Sequence, residues 1–212
     1  MILDLHVHTV LSGDAKPTVE EYAERVVKMR ERYNIDGFVV TEHRLWRAET
    51  NDLFAKLSEE TGLVILQGIE LETDFGHILI YGVNEDFAER IEMDKRVSGL
   101  DAVKVAYETG AFPVVAHPSR PMVGCGIALT ALDGIKVIEH INGGSLTEEN
   151  ERTLQWMNEF GMAGTGGSDA HYIDEIAKCL TVFENPVNND KDLVRELDKG
   201  DFHAVYIEET LK

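Results

Sequence analysis

The chain has little cysteine. Cys125 and Cys179 are the only two, 54 positions apart and in no paired motif, so neither a disulfide framework nor a thiolate metal knuckle is expected, and a reduced, cytoplasmic setting fits best. Long apolar runs are absent as well. No stretch approaches the ~20 apolar residues of a membrane span, and the start, MILDLHVHTV, lacks the basic region of an export signal. Basic residues are scarce, with 20 Lys and Arg against 39 Asp and Glu, a net charge of −19. Such a field disfavours anionic lipid and long nucleic acid, because there is no basic groove with interleaved aromatics to meet either. Internal repeats, low-complexity tracts and long linkers are also missing.

What remains is an ordinary globular composition, 43% hydrophobic over 212 residues. A single domain over 1–212 is expected, hiding about 70% of its unfolded surface. Strand-like runs at 2–7, 37–41, 63–71, 78–83, 112–116, 135–138, 162–164, 180–183 and 203–207 alternate with helical patterns at 17–33, 49–61, 100–109, 127–132, 147–160 and 191–197. The segment 84–98 is polar and carries no clear pattern. Continuous apolar strands between amphipathic helices predict a parallel sheet covered by helices. The length is near the ~200-residue lower limit of the βα barrel. A small, distorted α/β barrel is therefore expected, with an open doubly wound sheet as its rival.

The eight histidines carry the functional signal. His6 and His8 close the first strand, His43 follows the second, His77 begins the ILIYGV run, and His117 and His171 follow later strands. Strand ends of a parallel barrel converge on one face, where active sites of that architecture are built. His6 and His8 are two apart on a strand, so both rings point to one side, a chelating geometry. Asp4 shares their parity and is expected to orient an imidazole. Asp169 and His171 repeat the device after what reads as a glycine-rich turn at Gly164, Gly166 and Gly167, which permits close backbone approach. Glu70 and Glu72 end another strand, where one carboxylate can bridge two cations. Asp14 lies in the loop after the first strand. His140 is either a site residue or a hydrogen-bonded structural one; His203 and Cys125 read as structural.

The motifs DLHVHT (4–9), TEH (41–43), GIELE (68–72), GH (76–77), AHP (116–118) and GSDAH (167–171) appear in the order found in the PHP (polymerase and histidinol phosphatase) family, which the chain resembles from residue 3 to 171. The resemblance implies a seven-stranded (β/α)7 TIM-like barrel and a metal-dependent phosphoesterase. It gives His6, His8, Glu70 and Asp169 to a first ion. Glu70 bridges to a second, also held by His77 and His117, and Asp14, His43 and His171 hold a third. Two ions remain if Asp14, whose LSGD spacing departs from the commoner pattern, does not bind. Imidazoles with carboxylates and no thiolates suit zinc, manganese or iron rather than calcium. The implied reaction is hydrolysis of a small-molecule phosphate monoester by a metal-activated water, with Glu70 and Asp169 at the reacting centre. Arginine matches phosphate geometry, and Arg120 is the first choice of clamp, with Arg44 and Arg47 also in ligand-bearing loops. Alternatives are an amidohydrolase-type C–N hydrolase, a nuclease or phosphodiesterase, and a non-catalytic regulatory metal domain. Histidinol phosphate, nucleoside monophosphates, sugar phosphates and phosphotyrosine stay open as substrates, and nothing in the sequence indicates an oligomeric state.

Overall fold

In the computed structural model, which describes residues 1–212, nine strands form one sheet. They are β1 (Ile2–Val7), β2 (Gly37–Val40), β3 (Val64–Thr73), β4 (Gly76–Tyr81), β5 (Phe112–Val115), β6 (Val137–Asn142), β7 (Ala163–Gly167), β8 (Cys179–Phe183) and β9 (Phe202–Tyr206). The order is β7-β6-β5-β4-β3-β2-β1-β8-β9. Beyond β7 the chain curls back onto β1, where Asp169 N donates to His6 O at 2.7 Å and His8 N to Ala170 O at 3.0 Å. These bonds close β1 to β7 into a ring of seven, and the open-sheet alternative is excluded. The strands β8 and β9 form an antiparallel pair on the first half of β1. The apolar runs predict a parallel sheet, but the barrel is not wholly parallel: β4 is antiparallel to both β3 and β5. Its tight turn from β3, at Asp74 and Phe75, leaves no room for a crossover helix. The reversal places His77, at the start of β4, at the same end as residues that finish the parallel strands.

Six helices cover the ring: α1 (Val19–Met29), α2 (Thr50–Thr61), α3 (Glu85–Arg90), α4 (Gly99–Glu108), α5 (Thr147–Phe160) and α6 (Asp190–Lys199). Thr18 caps α1 in a reciprocal box with Glu21, which fixes the start at Val19, two residues after Pro17. Val19, Tyr22, Ala23 and Val26 of α1 then pack on Phe38 and Val40 of β2 in one buried cluster. The polar segment 84–98 does hold a short helix, α3, capped by the Asn84 side chain and anchored by buried Phe87. Residues 126–131 form a 3-10 turn rather than an α-helix, and the glycine-rich stretch expected to turn is strand β7. It needs glycine because a Cβ on Gly166 would sit 2.4 Å from Leu180 O. Inside the ring, Leu3, Leu5, Val39, Leu79, Tyr81 and Val137 meet Leu193 and Leu197 of α6. That apolar plug fills one end of the barrel and leaves the other to polar side chains.

Two irregularities decide which residues face that polar end. The pairing of β1 with β2 shifts register between Asp4 and Val7. Leu3 and Leu5 therefore belong to the interior cluster while Val7 joins the outer one, and His6 and His8 turn inward. A similar shift in β6 lies between Glu139 and Ile141. Bulges of this kind re-aim side chains beside active sites.

Candidate metal centre

Glu70 is the hub. It is wholly buried on β3, and its two carboxylate oxygens face different imidazoles. Oε1 lies 2.8 Å from His77 Nδ1 and 3.0 Å from His117 Nε2. Oε2 lies 3.0 Å from His43 Nδ1, 3.2 Å from His8 Nε2 and 3.4 Å from His6 Nε2. Asp169, after β7, directs Oδ1 to within 3.5 Å of His6 Nε2 and 3.3 Å of His8 Nε2. Asp14 Oδ2 stands 3.3 Å from His43 Nε2 and 3.5 Å from His171 Nε2, at the rim, with 54% of its side chain exposed. All nine ligand candidates thus share one mouth. His117 and Asp169 adopt positive φ values of 26° and 53°, strain of the sort that persists where surrounding structure imposes it.

The donor set fits divalent cations. His43 Nδ1, Glu70 Oε2 and His117 Nδ1 are buried without a hydrogen-bond partner, a costly state for polar atoms. His6 Nε2 and His8 Nε2 point at each other across 3.0 Å. Four overlapping groups of three donors, such as His6, His8 and Glu70, have their ligand atoms within 4.8 Å of one another. Cations between them would satisfy these atoms together.

The electrostatics agree. Burial alone would lower His6, yet Glu139, Asp169 and Glu70 hold it well above the usual imidazole value. Burial opposes charge on His8 too, and the adjacent carboxylates of Asp169 and Glu70 still bring it up to about 9. Burial would raise Glu70 and Asp169, but the neighbouring His6 keeps both well below the ordinary carboxylate range. Positive charge is demanded at this point of the molecule.

A second ring of residues orients the candidate ligands, and sequence reasoning missed most of it. Glu139 Oε1 lies 2.9 Å from His6 Nδ1, and Oε2 accepts from His117 N and Asn142 Nδ2, each at 2.9 Å. Asp4, expected in that role, instead accepts backbone N–H groups of His6, Ser168 and Ala177. The bulge in β1 breaks the parity on which that expectation rested. Ser12 Oγ lies 3.1 Å from His8 Nδ1, accepts from His43 N at 3.0 Å, and donates to buried Glu42. Arg120 donates to Asp169 Oδ2 at 2.7 Å, and its other nitrogens reach Asn142 and Ser145. It holds Asp169 in place before it can meet a ligand. The one sequence signal for Glu139 is its position at the end of KVIEH, matching that of Glu70 in LQGIE. His140 lies outside this network, near Met157 of α5, and burial lowers its imidazole.

Comparison with known proteins agrees with this fold. A family model described as PHP-associated matches residues 147–202. An uncharacterised protein of Methanocaldococcus jannaschii is 28% identical over 146 residues, 65% of this chain and 81% of that one. A crystal structure of a two-domain protein from Bacteroides vulgatus, containing a predicted PHP-like metal-dependent phosphoesterase, superposes with a TM-score of 0.69 at 20% identity. The match covers 98% of this chain and 65% of that one, so the chain spans just under two thirds of its length. The chain has the barrel fold of these PHP-like proteins. The same fold is found in the lesion-specific endonuclease PfuEndoQ of Pyrococcus furiosus, with a TM-score of 0.69 at 12% identity over 96% of this chain and 58% of that one. An amidohydrolase from Chromobacterium violaceum, solved with bound sulfate and no metal, gives 0.64 at 17% identity, covering 96% of this chain and 97% of that one.

The candidate ligands open into a cavity of about 590 Å³. Its wall is polar, with two hydrophobic residues among seventeen, and includes Arg44, Arg96 and Arg120. Arg47 is not part of that wall. No helix is long and apolar enough to cross a membrane.

Proposed function

We propose that the chain hydrolyses a small-molecule phosphate monoester with two or three divalent ions, of zinc, manganese or iron. The observation that carries this reading is the Glu70 carboxylate, each oxygen turned to a separate set of imidazoles, the arrangement of a bridge between two cations. Such ions supply a nucleophile from water near neutral pH and offset charge on phosphoryl oxygens. The residues do the rest. His6, His8, Glu70 and Asp169 would hold the first ion, His77 and His117 with Glu70 the second, and His43, His171 and Asp14 the third. In the balanced reaction a water oxygen forms the new bond to phosphorus, the ester P–O bond breaks, and the departing alkoxide gains a proton.

Charge in the mouth supports an anionic substrate. Asp14, Glu70, Glu72 and Asp169 contribute four negative charges against three from the arginines of the wall. Two divalent ions add four, so the local sum is +3 within a chain of net charge −19. Long nucleic acid fits poorly, because that positive region is confined to the cavity. Free Cys125 and Cys179 suit a reduced, cytoplasmic setting.

The amidohydrolase and the endonuclease show that the fold alone does not fix the bond cleaved. Elemental analysis of purified protein, followed by a panel of aryl phosphate, bis-aryl phosphate, amide and lactone substrates, tests the proposal. Two or three transition-metal ions per chain and selective cleavage of the monoester are expected. Cleavage of the diester, amide or lactone with the monoester untouched would overturn it.

A further inference from the structure

Arg44 and Arg96 are not close in sequence, and the backbone brings them to one edge. Arg44 N donates to Glu70 O at 3.0 Å, and Val97 N donates to Glu72 O at 3.0 Å. Thr73 and Val97 form an isolated parallel bridge. The segments carrying the two arginines therefore lie in succession along the same side of β3. The carbonyls they bond are two residues apart, about 6.6 Å on a strand. Each guanidinium is steadied through its inner nitrogen only. Arg44 Nε is 3.3 Å from Glu72 Oε1, and Arg96 Nε donates to Thr73 O at 3.0 Å. The terminal nitrogens of both make no hydrogen bond to the protein, and both residues line the cavity that holds the ligands.

Arg44 is also held at φ 54°, in the left-handed region, directly after His43. A non-glycine residue there costs free energy and is often found at ligand clamps. Arg120 differs from these two, because three of its nitrogens are already bonded to Ser145, Asp169 and Asn142.

Resting on the phosphoesterase reading, we infer that Arg44 and Arg96 form a second anion site at the rim of β3, so that the substrate is a small phosphate monoester bearing another phosphate or carboxylate. The outer guanidinium edges take the second anion while the phosphate to be cleaved occupies the ligand cluster. Glu72 meets Arg44 at Nε and leaves the outer edge of that guanidinium free for an anion. Charge-assisted pairs of this kind are the strong class of hydrogen bond.

The test compares kcat/KM for glycerol phosphate, phosphoglycerate and glycerol bisphosphate on the metal-loaded protein, and on Arg44→Met and Arg96→Met. The ratio of each doubly anionic substrate to glycerol phosphate is internal to each protein, so loss of folded or loaded enzyme cancels. A preference of about tenfold or more, equivalent to one charged hydrogen bond, is expected in the parent and should fall to within about twofold in both variants. The carboxylate and bisphosphate arms tell which anion is read. A ratio near one with active hydrolysis of glycerol phosphate overturns the second site and leaves the phosphoesterase reading standing. So does a preference that survives both substitutions. No hydrolysis of any of the three, nor of aryl phosphate, overturns the phosphoesterase reading and this inference with it.

Discussion

Glu139 is the residue whose loss separates holding an ion from orienting a ligand. Both its oxygens accept, one from the ring of His6 and the other from His117 N and Asn142 Nδ2. A carboxamide offers one acceptor oxygen and an NH2 group, so Glu139→Gln turns a donor toward a donor on one side. The His6 ring is then free to rotate or to present the wrong nitrogen. Loss of such outer partners typically weakens metal affinity by about 10- to 100-fold. A chelator-competition titration should show that drop while the far-ultraviolet circular dichroism is unchanged; an affinity within about twofold of the parent would mean that Glu139 is only core. The ligands behave differently. Replacing His8 or Asp169 with alanine removes a donor from the proposed first ion, and should abolish bound metal and activity together, by elemental analysis and phosphatase assay on the same preparation.

At the scale of elements, what can be read from sequence depends on how local its cause is. The candidate ligands sit in short motifs at strand ends, and strand ends show as apolar runs that stop, so His6, His43, Glu70, His117 and Asp169 are visible. Asp4 is misjudged and Glu139 overlooked for one reason: each lies where a register shift changes which face a side chain takes, and an extra residue leaves no mark in a periodic pattern. Arg96 is invisible because its place comes from the bridge of its neighbour Val97 to Thr73, across the hairpin and α3. The glycines of β7 look like a turn because their true cause is a neighbour. A Cβ on Gly167 would meet His6 Cβ at 2.5 Å and Glu139 Oε1 at 2.6 Å. Gly167→Ala should therefore destabilise the chain by about 1–3 kcal/mol, the range for overpacked interiors, and also weaken metal binding by pushing His6 off its axis. Gly161→Ala, where a Cβ meets nothing within 4 Å, carries only the φ 64° strain of a helix end and should leave metal affinity intact. Equal losses of affinity in the two variants would argue against crowding at His6 as the cause.

Over the whole molecule the site is a pocket demanding positive charge inside a strongly acidic chain, and protons or cations can meet that demand. In the metal-free protein a proton on His8 does so, with its value raised from 6.5 to about 9 by Asp169 and Glu70. A group raised in the folded state adds stability that is fully present below its unfolded value and is lost as pH rises through the folded one. The metal-free protein should therefore lose thermal stability between about pH 6.5 and pH 9. Asp4, raised by burial to about 6, acts lower on the scale: its contribution falls away between pH 3.8 and about 6 and is complete before the His8 window opens. Metal binding runs the other way. The ions take the nitrogens that protons occupied, so binding releases protons and tightens as pH rises. Ligand in excess stabilises the folded state by about 2.7 kcal/mol at ~100 times its Kd, and that excess grows as Kd falls. The difference in Tm between metal-loaded and chelator-treated protein should thus widen from pH 6.5 to 9, with proton release on metal addition detectable in weakly buffered solution. A gap that is constant or narrows over that interval would mean that His8 is neutral in the metal-free chain and that the carboxylates find their counter-charge elsewhere.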